Sequence, residues 1–142
     1  MKKRVYDLEE RLIQFGVAII ELAETTNKRR YAAIHLSKQL IRSGTSPGIH
    51  YGEAQAAESR KDFVHKMKVI LKELRETRGN LVMSNRANLI KSGQAVDSVI
   101  DECSQLIAIF VKSIQTAEKR DGKNLRTEER KTVKGNRRAG ED

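Results

Sequence analysis

A chain of 142 residues with 38% hydrophobic and 33% charged residues, one proline and no tryptophan has enough material for one domain with a core. Its composition favours helix over strand. The single cysteine excludes an intrachain disulfide, and no run approaches the roughly 18 apolar residues of a membrane span. Met1-Lys2-Lys3-Arg4 is not followed by an apolar signal core, so a cytoplasmic protein is expected. The net charge of +9 points towards an anionic partner, nucleic acid being the commonest, although surface charge also serves solubility.

Leu8, Leu12, Phe15, Ile19 and Leu22 recur at steps of four and three, which predicts an amphipathic first helix from Asp7 to about Thr26. Asn27-Lys28-Arg29-Arg30 interrupts the repeat, and Ala33, Ser37, Leu40 and Gly44 open a second helix. Between Lys28 and Arg42 there are five basic residues and no acidic one. Gly44, Gly48, Gly52 and Ala56 fall four apart, a small-residue stripe that would admit a close neighbouring backbone. Ser46-Pro47-Gly48 is equally good turn chemistry, and the two readings of residues 44 to 52 stand level. A helix through Pro47 should kink, or restart with Ser46 as its cap.

The third helix is announced by Ser59 and Asp62 in a capping arrangement, then by Phe63, Met67, Ile70, Leu74, Thr77 and Leu81 in heptad rhythm. Gly79, Asn80 and Ser84 to Asn88 predict a fraying end or a turn. Ser92 is a candidate cap for a fourth helix, along which Val96, Val99, Cys103, Leu106 and Phe110 repeat, with Ile100, Ile107 and Ile114 widening the stripe. Cys103 lies within that stripe and reads as a core filler. From residue 120 to 142 there are eight basic and five acidic residues but few apolar ones, which predicts a flexible basic tail. Residues 1–119 are therefore expected to form an all-α, up-down-up-down antiparallel four-helix bundle.

Arg42-Ser43-Gly44-Thr45-Ser46-Pro47-Gly48, the run from Tyr51 to Phe63, and Leu71-Lys72-Glu73-Leu74-Arg75-Glu76-Thr77 resemble the signature of the bacterial four-helix bundle protein family. This is the family of 23S ribosomal RNA intervening-sequence proteins, related to accessory proteins of diversity-generating retroelements. The resemblance covers residues 6 to 119. It implies a second helix that continues through the small-residue stretch, assembly into a homopentamer, no catalysis, and a role in nucleic-acid binding or in support of a reverse transcriptase. Pro47, His50 and Asn80 depart from the family pattern.

No catalytic constellation is found. His35, His50 and His65 lie fifteen apart with no zinc or triad spacing, and the glycines lack the Lys-Ser/Thr of a P-loop. Neither a metal nor a cofactor is expected, and a His50–Glu53 pair reads as an interface contact before a ligand pair. Glu53, Arg60, Glu73 and Glu76 are expected to meet as an interhelical charge cluster, with cation binding by Glu53 and Glu76 as the competing view. Lys28, Arg29, Arg30, Lys38, Arg42, Arg60 and Lys61 are the candidate nucleic-acid contacts. Gly44, Gly48 and Gly52 are the candidate packing residues. Helices two and three are basic, whereas residues 93 to 118 hold one lysine against four acids. With few aromatic residues for stacking, binding should be phosphate-led and indifferent to sequence. The competing function is a structural ring that binds only protein.

Overall fold

The computed structural model describes residues 7–91 and 93–139, with side chains described throughout except at 123–125 and 135–139. Four helices follow one another: α1 (Leu8–Ala23), α2 (Tyr31–Gln55), α3 (Arg60–Arg86) and α4 (Gln94–Ala139). The apolar repeats become one core, in which Leu12, Phe15 and Ile19 of α1 are buried with Leu40 of α2, Met67, Ile70, Leu74 and Leu81 of α3, and Val96, Cys103, Leu106 and Phe110 of α4. The all-α four-helix bundle expected from the sequence is the fold found. Each helix packs along its length on its neighbour in sequence, whereas α1 and α4 touch over a much shorter stretch.

Local chemistry sets the ends. The Asp7 side chain accepts the amide of Glu10 at 3.1 Å to start α1. At its other end the hydroxyls of Thr25 and Thr26 donate to the carbonyls of Leu22 and Ala23. Ser59 accepts the amide of Asp62 at 3.0 Å and starts α3 as its spacing predicted. The α3 helix runs past Gly79 and Asn80 to Arg86, then closes in a Schellman turn. In that turn Leu89 N–H donates to Ser84 O (2.8 Å) and Asn88 N–H to Asn85 O (3.1 Å), with Asn88 left-handed at φ 57°. The proposed cap of α4, Ser92, lies outside the described residues.

The level choice over residues 44 to 52 is decided for helix, since α2 continues through Pro47 to Gln55. Proline inside a helix forfeits one backbone hydrogen bond, a cost of about 3 kcal/mol or more. Burial of Ser43, Gly44, Pro47 and Ala54 on the inner face supplies a compensating term. Gly44 and Gly48 explain why the face is small. A Cβ at Gly44 would lie 2.7 Å from Cγ2 of the buried Ile19, and one at Gly48 would lie 3.2 Å from the carbonyl oxygen of Leu12. Gly52 does not share this role, because a Cβ there would meet nothing within 4 Å.

The segment expected to be a flexible basic tail is helical as far as Ala139. Among the residues whose burial is described, the last buried one in α4 is Ala117. The core ends where the apolar count predicted, but a helix does not need a core at every turn. Residues 126–134 are rich in Arg, Lys and Glu, which lose little side-chain freedom in a helix, and Thr132 bonds back to Glu128 O at 3.0 Å.

Candidate nucleic-acid interface

The candidate basic residues do not gather on one surface. Lys28, Arg29 and Arg30 precede α2, Lys38 lies on its exposed side, and Arg60 and Lys61 begin α3. The 25 residues of α2 separate the first group from the last by about 37 Å at 1.5 Å per residue.

Two of the seven are committed to the fold. Arg30 Nη1 donates to the carbonyls of Ala87 (3.2 Å) and Asn88 (3.1 Å), so this cation covers the negative end of α3. Arg42 bridges α2 to α3, with Nη1 3.0 Å from Glu73 Oε2 and Nη2 2.7 Å from Glu76 Oε2. The hydrogen bond to Glu76, with the charge of Glu73 next, raises the Arg42 pKa above its ordinary value. Lys28, Arg29, Lys38 and Lys61 are exposed. Arg60 is also exposed and lines an open cleft of about 950 Å³ between the α2–α3 turn and α4, together with Phe63, Lys112 and Arg120.

The expected charge cluster is thus half right. Glu73 and Glu76 share one cation, but it is Arg42; Glu53 and Arg60 are exposed and join no ion pair among the described residues. Because Glu76 is occupied by Arg42 and Glu53 stands apart, a shared cation site for the two carboxylates has no support. His50 Nδ1 lies 2.9 Å from Ser46 Oγ, one turn earlier on its own helix, and is not paired with Glu53. No group of three or more His, Cys, Asp or Glu is placed to hold a metal among the described residues. No helix among them is long and apolar enough to cross a membrane.

Several contacts escape a reading of periodicity. Arg11 joins α1 to α4 through Glu102 (2.6 Å) and Gln105 (2.9 Å), and Lys68 joins α3 to α4 through Glu118 (2.8 Å). Thr77 donates to the buried hydroxyl of Ser43 (2.9 Å), while Asn80 donates to Leu36 O (2.9 Å) and accepts from Ser84 (2.8 Å). Of the α3 residues that suggested a fraying end, Asn80 and Ser84 are therefore core polar groups with partners, whereas the buried Oδ1 of Asn85 has none among the described residues. Cys103 Sγ donates to Leu74 O at 3.3 Å, and burial pushes its thiol pKa up to about 12. Only helical spacing from Thr77 to Ser84 hinted at the inward polar ladder.

The outward side of α3 carries the basic stripe that the candidate set only touched. Lys61, Lys68, Lys72 and Arg75 are exposed and share one face by helical spacing. A second outward feature is apolar. On α1, Ile13, Val17 and Ile20 are 44%, 49% and 41% exposed, and on α2 Ile49 is 69% exposed. Ile13 stands level with Ile49, because a Cβ at Gly48 would lie 3.3 Å from the Ile13 nitrogen.

The sequence profile of the 23S rRNA-intervening sequence proteins matches residues 6–112. The chain belongs to that family. A solved structure described as a protein with unknown function from the S23 ribosomal protein family, from Bacteroides thetaiotaomicron VPI-5482, is 28% identical. The match covers 75% of this chain and 97% of that one at a TM-score of 0.68. A search of curated proteins finds no match. Within this intervening-sequence protein, the family match stops at residue 112, so the exposed end of α4 lies beyond it.

Proposed function

We propose that this protein is a non-enzymatic bundle that assembles with copies of itself and holds nucleic acid through phosphate contacts. The observation that carries the reading is the exposed aliphatic edge of Ile13, Val17, Ile20 and Ile49. Branched aliphatic side chains gathered on one edge gain by being covered, at about 25 cal/mol per Å² of apolar surface removed from water. The edge mixes two helices that are already locked together through Gly44 and Gly48, so it is a rigid surface. A ring of five copies, the state implied by the family resemblance, needs such a face on every subunit.

Light scattering tests the assembly. The expected mass is a multiple of 16.1 kDa, about 80 kDa for five copies, and Ile13→Glu with Val17→Glu should return it to a single chain. A wild-type mass of one chain at micromolar concentration would overturn the assembly. The nucleic-acid half is supported by the outward stripe of α3, and not by Arg30 or Arg42, which hold helices together. Reversing Lys61, Lys72 and Arg75 to Glu should weaken binding to RNA or DNA, with a steep salt dependence in the parent protein and little dependence on sequence. Absence of binding at low salt would leave a ring that binds only protein. The resemblance extends the reading to a place beside a reverse transcriptase, and co-purification with such an enzyme would test it.

A further inference from the structure

Beyond Ala117 the α4 helix leaves the core and continues for 22 residues to Ala139, about 33 Å at 1.5 Å per residue. Its charges are sorted by face. Lys112, Lys119 and Arg126 are seven apart, and Arg130 and Lys134 follow at steps of four, which places all five on one side of the helix. All five are exposed. Lys112 and Lys119 each follow a buried residue, Phe110 and Ala117, by two positions, or about 200° of rotation. The stripe therefore looks away from the core, and Lys112, its first member, also stands at the rim of the cleft beside the α2–α3 turn. Asp121 and Glu128 fall on the side that continues the core-facing stripe.

We propose that this outward face of α4 is a docking surface for the phosphate backbone of duplex DNA. A polyanion is favoured because exposed point charges at Lys119, Arg126, Arg130 and Lys134 line one face along about 22 Å, at steps of about one or two helical turns. Nucleic acid is favoured over a membrane because an interfacial helix needs an apolar face, and Val133 is the one large apolar side chain described beyond Ala117. Duplex DNA is favoured over duplex RNA by width. A helix of about 10–12 Å fits the roughly 12 Å major groove of B-form DNA, whereas the major groove of A-form RNA is too narrow. Like charges at Arg126, Arg130 and Lys134 repel at i,i+4 spacing, and phosphates between them would relieve that repulsion. Docking should accordingly add helix to the chain.

The inference shares its partner class with the function proposed above but stands on a different helix face. Its test uses the full chain, a 20-base-pair DNA, the matching RNA duplex, and vesicles containing phosphatidylserine. Anisotropy titrations across salt compare the parent with Arg126→Gln/Arg130→Gln and with Lys72→Gln/Arg75→Gln. Each phosphate contact is worth about eightfold in affinity at 0.1 M salt, so the α4 variant should bind DNA about sixtyfold more weakly, with a salt slope shallower by about 2. Circular dichroism should show helix gained by the parent on adding DNA, and less by the α4 variant. Unchanged affinity and slope in the α4 variant would overturn the inference, as would no DNA binding at 50 mM salt, preference for the RNA duplex, or binding to vesicles alone. Loss confined to the Lys72/Arg75 variant would retain the α3 surface and sink this one; loss confined to the α4 variant would do the reverse.

Discussion

Glycines four residues apart do different work in α2. At Gly44 an added methyl meets Ile19 at 2.7 Å, and Ile19 is fully buried with nowhere open to move. Gly44→Ala should therefore lower stability by about 1–3 kcal/mol. At Gly52 the added methyl meets nothing, and Gly52→Ala should raise stability by about 1 kcal/mol through helix propensity alone. Thermal unfolding of the two variants checks the contrast; shifts of the same sign would contradict it. Cys103 gives a second residue-scale expectation. Its folded pKa is raised to about 12 from an ordinary 9.0, so below pH 9 both folded and unfolded thiols stay protonated and the buried thiol contributes its full share. As pH rises from 9 towards 12 the unfolded thiol ionises first, and that share is lost. Native protein at pH 8 should react with a disulfide reagent far more slowly than urea-unfolded protein, and equal rates would contradict the burial.

The elements were legible to the extent that they bury apolar faces. Leu12, Phe15 and Ile19, and again Met67, Ile70 and Leu74, meet in the core because helical spacing leaves no other way to hide them. Pro47 was not legible, since Ser46-Pro47-Gly48 satisfies turn rules locally and only the packing of α1 on Gly44 and Gly48 selects helix. The cation of the charge cluster was not legible for a related reason. Arg42 meets Glu73 and Glu76 across 31 and 34 residues of chain, a pairing fixed by the register of two helices and not by any local motif. Counting apolar residues located the end of the core near Ala117 but said nothing of whether the backbone beyond it stays helical. Among the candidate contacts, the structural role of Arg30 was not legible, because a helix end that needs a cation looks, in sequence, like any other positive charge.

At the scale of the whole molecule, three tightly packed sequential pairs and one slender closing contact make a bundle whose ordering is almost wholly local. The α1–α4 closure leans on Arg11, Glu102 and Gln105 at a partly exposed site, where ion pairs contribute about 1 kcal/mol or less. Arg11→Ala should therefore leave thermal stability within about 1 kcal/mol of the parent, yet speed amide hydrogen exchange in the first turns of α1 more than in α3; uniform acceleration would contradict it. The same topology has a kinetic consequence. Chain closure entropy is small when each helix needs only the helix before it, so the α1–α2 and α2–α3 hairpins can form without waiting for the ends to meet. A newly made chain could lay down the first three helices in the order of synthesis, and the closing of α4 on α1 would be the final, rapid and most reversible event of its folding.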